Sequence, residues 1–338
     1  MYRELRNSIL LFLIPAIWAF SCFGQGDSLP YSLYSKKLVF YTDLGVHMAP
    51  MKIRYPFDEE INKLKLRNNS SAVLGLGFSY KWFALRFGIT LPGTLRPLSR
   101  YGRTNYFDLG FDFTLKRVFF DVDFHLYEGY AIKNAYRWND SLNPLHPNDI
   151  RSDINTFSLS FNAWVFRSKD FKMQAMRGKT GSYVKDVRTL YFKYTVNLHG
   201  IGTDDPSLVP YQLIDSSQTK TASKSYTAFD FGLVPGYAYV KRWKHYQIGA
   251  MAGLGLVIQS KFYTVGNDTR GFLGLAPRFD IKFIAGYNQP KYFVMFVSDF
   301  DNKSIRFNNL SYRQTYYSLK IVGGIRLDKK ERKKPKES

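Results

Sequence analysis

The chain has 338 residues and a formal charge of +21, with 48 Lys and Arg against 27 Asp and Glu. Aromatic residues make up 17% of it, yet its mean hydropathy is slightly negative. So many rings beside so many polar positions sit poorly in an ordinary soluble globule, but suit strands that show an apolar side to lipid and a polar side to a lumen. Beyond the first 26 residues no stretch approaches the roughly 18 continuous apolar residues of a membrane helix, which excludes a helical membrane protein.

The one long apolar run opens the chain. Arg3 and Arg6 precede Ile9 to Phe20, and small or turn-forming residues follow from Ser21 to Gly26. This pattern predicts a signal peptide over residues 1–24, with cleavage near Gly24 or Gln25, because the run is short and interrupted by Pro15. Ala19-Phe20-Ser21-Cys22 loosely resembles a lipoprotein cleavage box, with a bulky Phe20 where such boxes prefer small residues; lipidation of Cys22 is the alternative. Cys22 is the single cysteine, so after ordinary cleavage an exported chain would lack disulfides and need another means of closure, such as a hydrogen-bonded ladder in lipid. Residues 25–37 then read as a periplasmic lead-in. Export argues against nucleic acid as the partner of the positive charge. The expected partners are outer-membrane lipid and lipopolysaccharide, whose phosphates are natural counter-charges, with barrel-assembly machinery during insertion. Lys and Arg snorkelling at the membrane interfaces would account for the charge equally well.

From residue 38 onward an alternation of period two recurs. Phe107, Leu109, Phe111, Phe113 and Leu115 alternate with Asp108, Gly110, Asp112 and Thr114; Phe120, Val122, Phe124 and Leu126 alternate with Asp121, Asp123 and His125. Only Lys116 and Arg117 separate the two runs, which predicts an antiparallel hairpin. Phe157 to Val165 and Leu190 to Leu198 repeat the rule, Tyr246 to Ile258 keeps parity through a Gly-rich stretch, and Tyr317 to Leu327 reads as the closing strand. The predicted strands are 38–48, 72–81, 83–91, 104–116, 117–129, 153–166, 170–177, 188–200, 226–240, 244–259, 270–287, 291–300 and 314–327. Bacterial single-chain barrels have even strand numbers. Tight turns near Lys81-Trp82, Lys116-Arg117 and Ser168-Lys169 share one parity, and those near Arg242-Trp243 and Gln289-Pro290 the other, so one strand is miscounted between about 168 and 225. Either 170–177 is not a strand, giving 12, or another lies near Tyr211 to Ile214, giving 14. The expectation is an all-β, antiparallel, up-and-down transmembrane barrel of about 12 strands over 38–327, in the cell outer membrane. Extracellular loops are expected at 92–103, 130–152 and 260–269, and a basic charged tail over 328–338.

Certain motifs match a family. The run Leu74 to Phe83, with Gly75, Gly77, Tyr80, Lys81 and Trp82, then Leu91-Pro92, then Tyr101-Gly102-Arg103-Thr104-Asn105-Tyr106-Phe107-Asp108, resembles an uncharacterised family of Bacteroidota outer-membrane barrels, domain of unknown function 4421. Gly129-Tyr130, Ser207 to Pro210 and Gly236 to Tyr239 extend the resemblance over about 38–327, with a departure at Phe171 to Met176. It implies the barrel fold and outer-membrane location, and supplies no catalytic residue, ligand or substrate.

On the lumen parity the pattern collects Asp108, Asp112, Asp121, Asp123, His125 and Lys193. Rings of carboxylates attract cations, so the cluster reads as a cation site or selectivity constriction, or else as charges paired with Lys193, Lys320, Arg326 or other bases that fill a narrow barrel. No Walker loop, zinc spacing or cofactor motif is present; Gly75-Leu76-Gly77 and Gly253-Leu254-Gly255 read as strand glycines that permit curvature, not nucleotide loops. Three functions are consistent with this: a narrow channel or transporter for small solutes, a structural or assembly-related barrel, and, less well supported, an outer-membrane lipid hydrolase. The hydrolase would need Ser158, Asn162, His125 or His199 on the exterior, whereas both His fall on the lumen parity.

Overall fold

The computed structural model describes residues 29–115 and 118–328. The predicted signal peptide, the Lys116-Arg117 turn and the tail from 329 lie outside the described residues. The alternating runs form long antiparallel strands: β2 (Leu38–Met48), β5 (Ala72–Tyr80), β6 (Phe83–Thr90), β7 (Asn105–Leu115), β8 (Val118–Ile132), β9 (Asp149–Phe166), β11 (Val187–Thr203), β12 (Ser225–Trp243), β13 (Tyr246–Val265), β14 (Asp268–Asn288), β15 (Tyr292–Arg306) and β16 (Ser311–Leu327). Each pairs with the next, and β16 closes on β2 from Tyr317↔Met48 to Leu327↔Leu38, making a ring of 12 strands. Closure leaves the ring with no sheet edge along β2, which is how a sheet satisfies its backbone in hydrocarbon.

The parity conflict in the sequence resolves at residues 167–186. No barrel strand spans 170–177; the segment carries a short helix, Met173–Arg177, and a three-residue strand, β10 (Gly181–Tyr183), which pairs with β1 (Tyr31–Leu33). Ser168-Lys169 is therefore not a tight turn but the start of a long connection. Tyr211 to Leu213 is a 3-10 turn, not a strand. The β5–β6, β12–β13 and β14–β15 turns, the 167–186 connection and both ends of the ring fall at one end. By the rule that bacterial barrels place short turns on the periplasmic side, this end is periplasmic.

At the opposite end the strands run further than the apolar pattern predicts. β13 and β14 continue through the expected 260–269 loop to a turn at Gly266-Asn267, and β8 and β9 shorten the expected 130–152 loop to 133–148. A hairpin absent from the sequence reading, β3 (Met51–Arg54) and β4 (Lys63–Arg67), bridges β16 to β8 above the ends of β2, β5, β6 and β7. It raises the wall on that side. The β14–β15 ladder stops at Asp280↔Asp301. Above it, side chains replace ladder bonds: Arg278 Nη1 donates to the Asn302 carbonyl at 2.5 Å, Gln259 Nε2 to that of Ser304 at 2.9 Å, and Lys261 to that of Arg306. Pro277, which lacks an N–H, falls on this open edge.

Outward side chains form an apolar belt, including Leu254, Leu256 and Ile258 on β13 and Ile321 and Ile325 on β16. Trp82, Trp243, Tyr246 and Tyr292 ring the periplasmic end, as interface aromatics do.

Candidate functional site

The lumen is filled in three layers. At the periplasmic end the 167–186 segment enters the barrel, and its Phe171, Met173, Ala175, Met176 and Tyr183 pack with Tyr41, Trp164, Tyr191, Met251 and Phe293 of the wall. Wall side chains also fasten its backbone. Gln247 Nε2 donates to the carbonyls of Ala175 and Met176, both at 2.9 Å; Asn288 Nδ2 donates to that of Gly181 at 3.1 Å; Arg326 Nε donates to that of Lys179 at 2.8 Å. Arg326, one of the bases expected to neutralise luminal carboxylates, instead binds plug carbonyls. At the extracellular end a second apolar layer gathers Met51, Ile53, Leu64 and Leu66 of the hairpin with Tyr130, Leu208, Tyr226 and Tyr312.

Between the layers lies a cavity of about 220 Å³, lined by eight Asp and seven Lys or Arg. All six residues of the sequence cluster, Asp108, Asp112, Asp121, Asp123, His125 and Lys193, line it. Their partners differ in part from those expected. Arg86 binds Asp43 through two nitrogens at 2.6 Å each and also reaches Asp108. Arg177, from the plug, binds Asp112 at 2.7 Å and Asp121 at 3.4 Å. Asp121 additionally accepts from Asn162 Nδ2 at 2.6 Å and Trp164 Nε1 at 2.7 Å. Lys193 pairs with Asp280 at 3.3 Å and Lys320 approaches Asp299 at 3.9 Å, so neither neutralises the 104–129 hairpin directly. Such pairing is required, since an uncompensated charge in a dry interior is costly. Asp123 and Asp301 form no ion pair among the described residues.

Arg86 was legible in the pattern, because Leu85, Phe87 and Ile89 point outward and leave Arg86 inward between Ala84 and Gly88. Arg177 was not, since it sits on a helix inside the barrel. The family-motif glycines also gain a physical role. A Cβ at Gly75 would overlap the Asp43 carboxylate and one at Gly77 the Tyr41 ring, so both glycines let side chains of β2 lie flat across β5. That is close packing more than curvature. Lys81, at φ 55°, forms the tight turn with Trp82, and its ammonium lies 5.3 Å from the Tyr80 ring centre. Gly102, at φ 64°, follows the short helix Leu98–Tyr101, and its carbonyl accepts from Asn69 Nδ2 at 2.6 Å.

His125 and Tyr106 share a hydrogen bond of 3.0 Å, and His47 meets the same hydroxyl at 2.9 Å. His199 Nε2 lies 3.1 Å from Asp230, which also binds Gln259 and Arg278. Ser158 contacts Lys303. Ser158 and His199 are completely buried inside the barrel, so the exterior arrangement that a lipid hydrolase would need is not formed. Among the described residues no group of three or more His, Cys, Asp or Glu converges as a metal site.

A closed ring of 12 antiparallel strands, an outward apolar belt with periplasmic aromatics and a charged, occupied interior define an outer-membrane β-barrel with a plugged lumen. Residues 33–324 match the family model described as a domain of unknown function, DUF4421. The chain belongs to that family. No curated protein matches it by sequence. Solved structures with a similar course include the outer membrane protease OmpT of Escherichia coli, at 10% identity and a TM-score of 0.38, covering 89% of this chain and 99% of that one. The translocator domain of the autotransporter NalP from Neisseria meningitidis aligns at 10% identity and 0.40, covering 96% of each chain. The toluene transporter TodX of Pseudomonas putida aligns at 8% and 0.30, over 88% of this chain and 91% of that one. At these scores the likenesses carry no argument about activity or cargo.

Proposed function

We propose that this barrel is a narrow, gated passage for small polar solutes across the outer membrane of a Bacteroidota bacterium, closed in the present conformation by residues 167–186 at the periplasmic end and, at the extracellular end, by the apolar layer to which the 204–224 connection contributes Leu208, Val209 and Leu213. The observation that carries the reading is that the periplasmic seal belongs to a connection, not to the wall. The strands form a complete ring without it, and what it covers is a charged chamber rather than an apolar core. Burying many ionic groups is an expensive way to stabilise a barrel, since well-packed apolar residues do as well or better. Near balance between acidic and basic linings suits zwitterionic or uncharged polar solutes over ions of one sign. The bacterial group rests on the motif resemblance from Leu74 to Asp108. A non-catalytic role is supported by the complete burial of Ser158 and His199 inside the barrel, out of reach of lipid. Insertion by barrel-assembly machinery is in keeping with the outward apolar belt.

Planar-bilayer recording tests the proposal. Wild-type protein should show rare, small openings, and a variant in which residues 170–183 and 206–221 are both replaced by short Gly-Ser linkers, which removes the plug and the connection that fills the extracellular layer, should conduct persistently. A linker variant that retains the heat-modifiable mobility of a folded barrel yet never conducts would refute the passage and favour a structural barrel.

A further inference from the structure

The upper wall carries an unusual charge pattern. β3, β4 and the upper end of β16 alternate strictly: Met51, Ile53, Leu64, Leu66 and Tyr312 point into the extracellular apolar layer, and Lys52, Arg54, Lys63, Lys65, Arg67 and Arg313 point out. The register aligns these cations in rows. Arg313 lies opposite Lys52, which lies opposite Lys65, and in the adjacent row Ser311, Arg54 and Lys63 are neighbours. Like charges directly opposite across strands destabilise a sheet, so a pure design for folding would intersperse acids. Here the strands contribute none, and among the described residues none of the six cations forms an ion pair. The acids of the hairpin, Asp58, Glu59 and Glu60, are confined to its tip, where Glu60 binds Arg137 at 3.1 Å. The Lys52 ammonium is held below the ordinary lysine range, by partial burial first and then by Arg54, Lys65, Arg313 and Lys63.

The rows also have a defined height. On the outward face of β16, Ile325, Ile321 and Leu319 belong to the lipid belt, Tyr317 follows, and Arg313 comes four residues later. At ~3.3 Å per residue and a strand tilt near 40°, Arg313 lies about 10 Å above Tyr317, the level of outer-leaflet headgroups. Beside the rows a surface pocket of about 320 Å³ is flanked by Arg54 and Arg306 and completed by Tyr55, Asn62, Asn309 and Ser311. Two guanidiniums and two amides suit phosphate and the hydroxyls of a sugar together.

We infer that the outward face of β3, β4 and upper β16, with the Arg54–Arg306 pocket, is a binding site for the phosphorylated headgroup of an anionic glycolipid of the outer leaflet. The rows supply fixed positive charge to the phosphates, and the belt below receives the acyl chains of the same molecule. The site is independent of the gating proposal, since it lies on the outside of the wall.

Native mass spectrometry of the full-length protein released from detergent, with lipid A as the probe, tests the inference. Wild type should retain diphosphorylated lipid A, and Lys52→Gln/Lys65→Gln/Arg313→Gln should weaken retention about tenfold or more, while Lys241→Gln/Lys244→Gln at the periplasmic end should not. Heat-modifiable mobility of each variant establishes that it is folded, and Arg54→Gln/Arg306→Gln provides a second, pocket-centred variant. Equal retention by the wild type and both headgroup variants would overturn the proposal, as would equal retention of dephosphorylated lipid A. Inorganic pyrophosphate competing as strongly as lipid A itself would overturn the lipid as the source of the phosphate.

Discussion

Replacing Arg177 by alanine isolates the electrostatic latch of the plug. The guanidinium is 17% exposed and bridges Asp112 and Asp121, whose side chains are 19% and 5% exposed, at 2.7 and 3.4 Å; it also lies 4.7 Å from the Phe119 ring centre. Removing one partner of a buried ion pair costs about 3–5 kcal/mol, because the remaining charge is left without compensation. The penalty falls on the closed state alone, since an open chamber admits water to both aspartates. It therefore shifts the closed-to-open ratio by roughly 10²- to 4 × 10³-fold, each 1.4 kcal/mol being a factor of ten. The shift should not open the barrel permanently. Phe171, Met173, Met176 and Tyr183 remain packed, and Gln247, Asn288 and Arg326 still hold the backbone of the segment. Single-channel recording of Arg177→Ala should show an open probability higher by about two to three orders of magnitude or more, and Arg177→Lys, which keeps the charge without the fork, an intermediate one. Arg177→Ala openings as rare as those of the wild type, in a protein that runs as a folded barrel, would refute the latch.

Other consequences concern stability in lipid and are read from urea unfolding in large vesicles. Gly77→Val should destabilise the barrel by about 1–3 kcal/mol by forcing Tyr41 out of its place across β5, and Gly75→Val should do the same through Asp43. Asp230→Ala should cost about 3–5 kcal/mol, because it strips Arg278 of its charge partner inside the wall. Leu254 and Leu145 are comparably exposed, at 67% and 73%, yet Leu254→Arg should cost about 2–4 kcal/mol where the neighbour is hydrocarbon, and Leu145→Arg, in the 133–148 loop, within about 0.5 kcal/mol of nothing. Equal costs at the two sites would contradict the placement of the belt.

Where a strand faces lipid on one side and a lumen on the other, the sequence shows it directly. Phe107 to Leu115 against Asp108 to Thr114 is legible residue by residue, and the parity of the turns alone shows that one predicted strand is in excess or missing between about 168 and 225. What the pattern hides has a physical cause in each case. Above the membrane the outward face no longer meets hydrocarbon, so β3 and β4 alternate with apolar residues inward and cations outward, over only four and five residues, and the upper ends of β13 and β14 lack the regular outward apolar row of their lower halves. Inside the lumen the apolar residues of Phe171 to Met176 pack against the wall instead of lipid, and a plug helix resembles a weak strand. The chamber was half visible: Asp108, Asp112, Asp121 and Asp123 follow from the parity of one hairpin, but Asp43, Asp280, Asp299 and Asp301 come from strands that meet it only in the closed ring, Arg177 comes from the plug, and pairings such as Lys193–Asp280 depend on which strands lie opposite.

The central claim, a ring of strands alternating between lipid and a closed lumen, is tested most directly along β12. Single cysteines introduced at Leu233, Val234, Tyr237, Ala238, Tyr239 and Val240 in a Cys22→Ser background, spin-labelled and reconstituted, report accessibility to oxygen in the bilayer and to a water-soluble nickel chelate. Positions 233, 237 and 239 should be oxygen-accessible, and 234, 238 and 240 shielded from both reagents. Accessibility to the chelate at both parities, or an absence of alternation, would contradict the account.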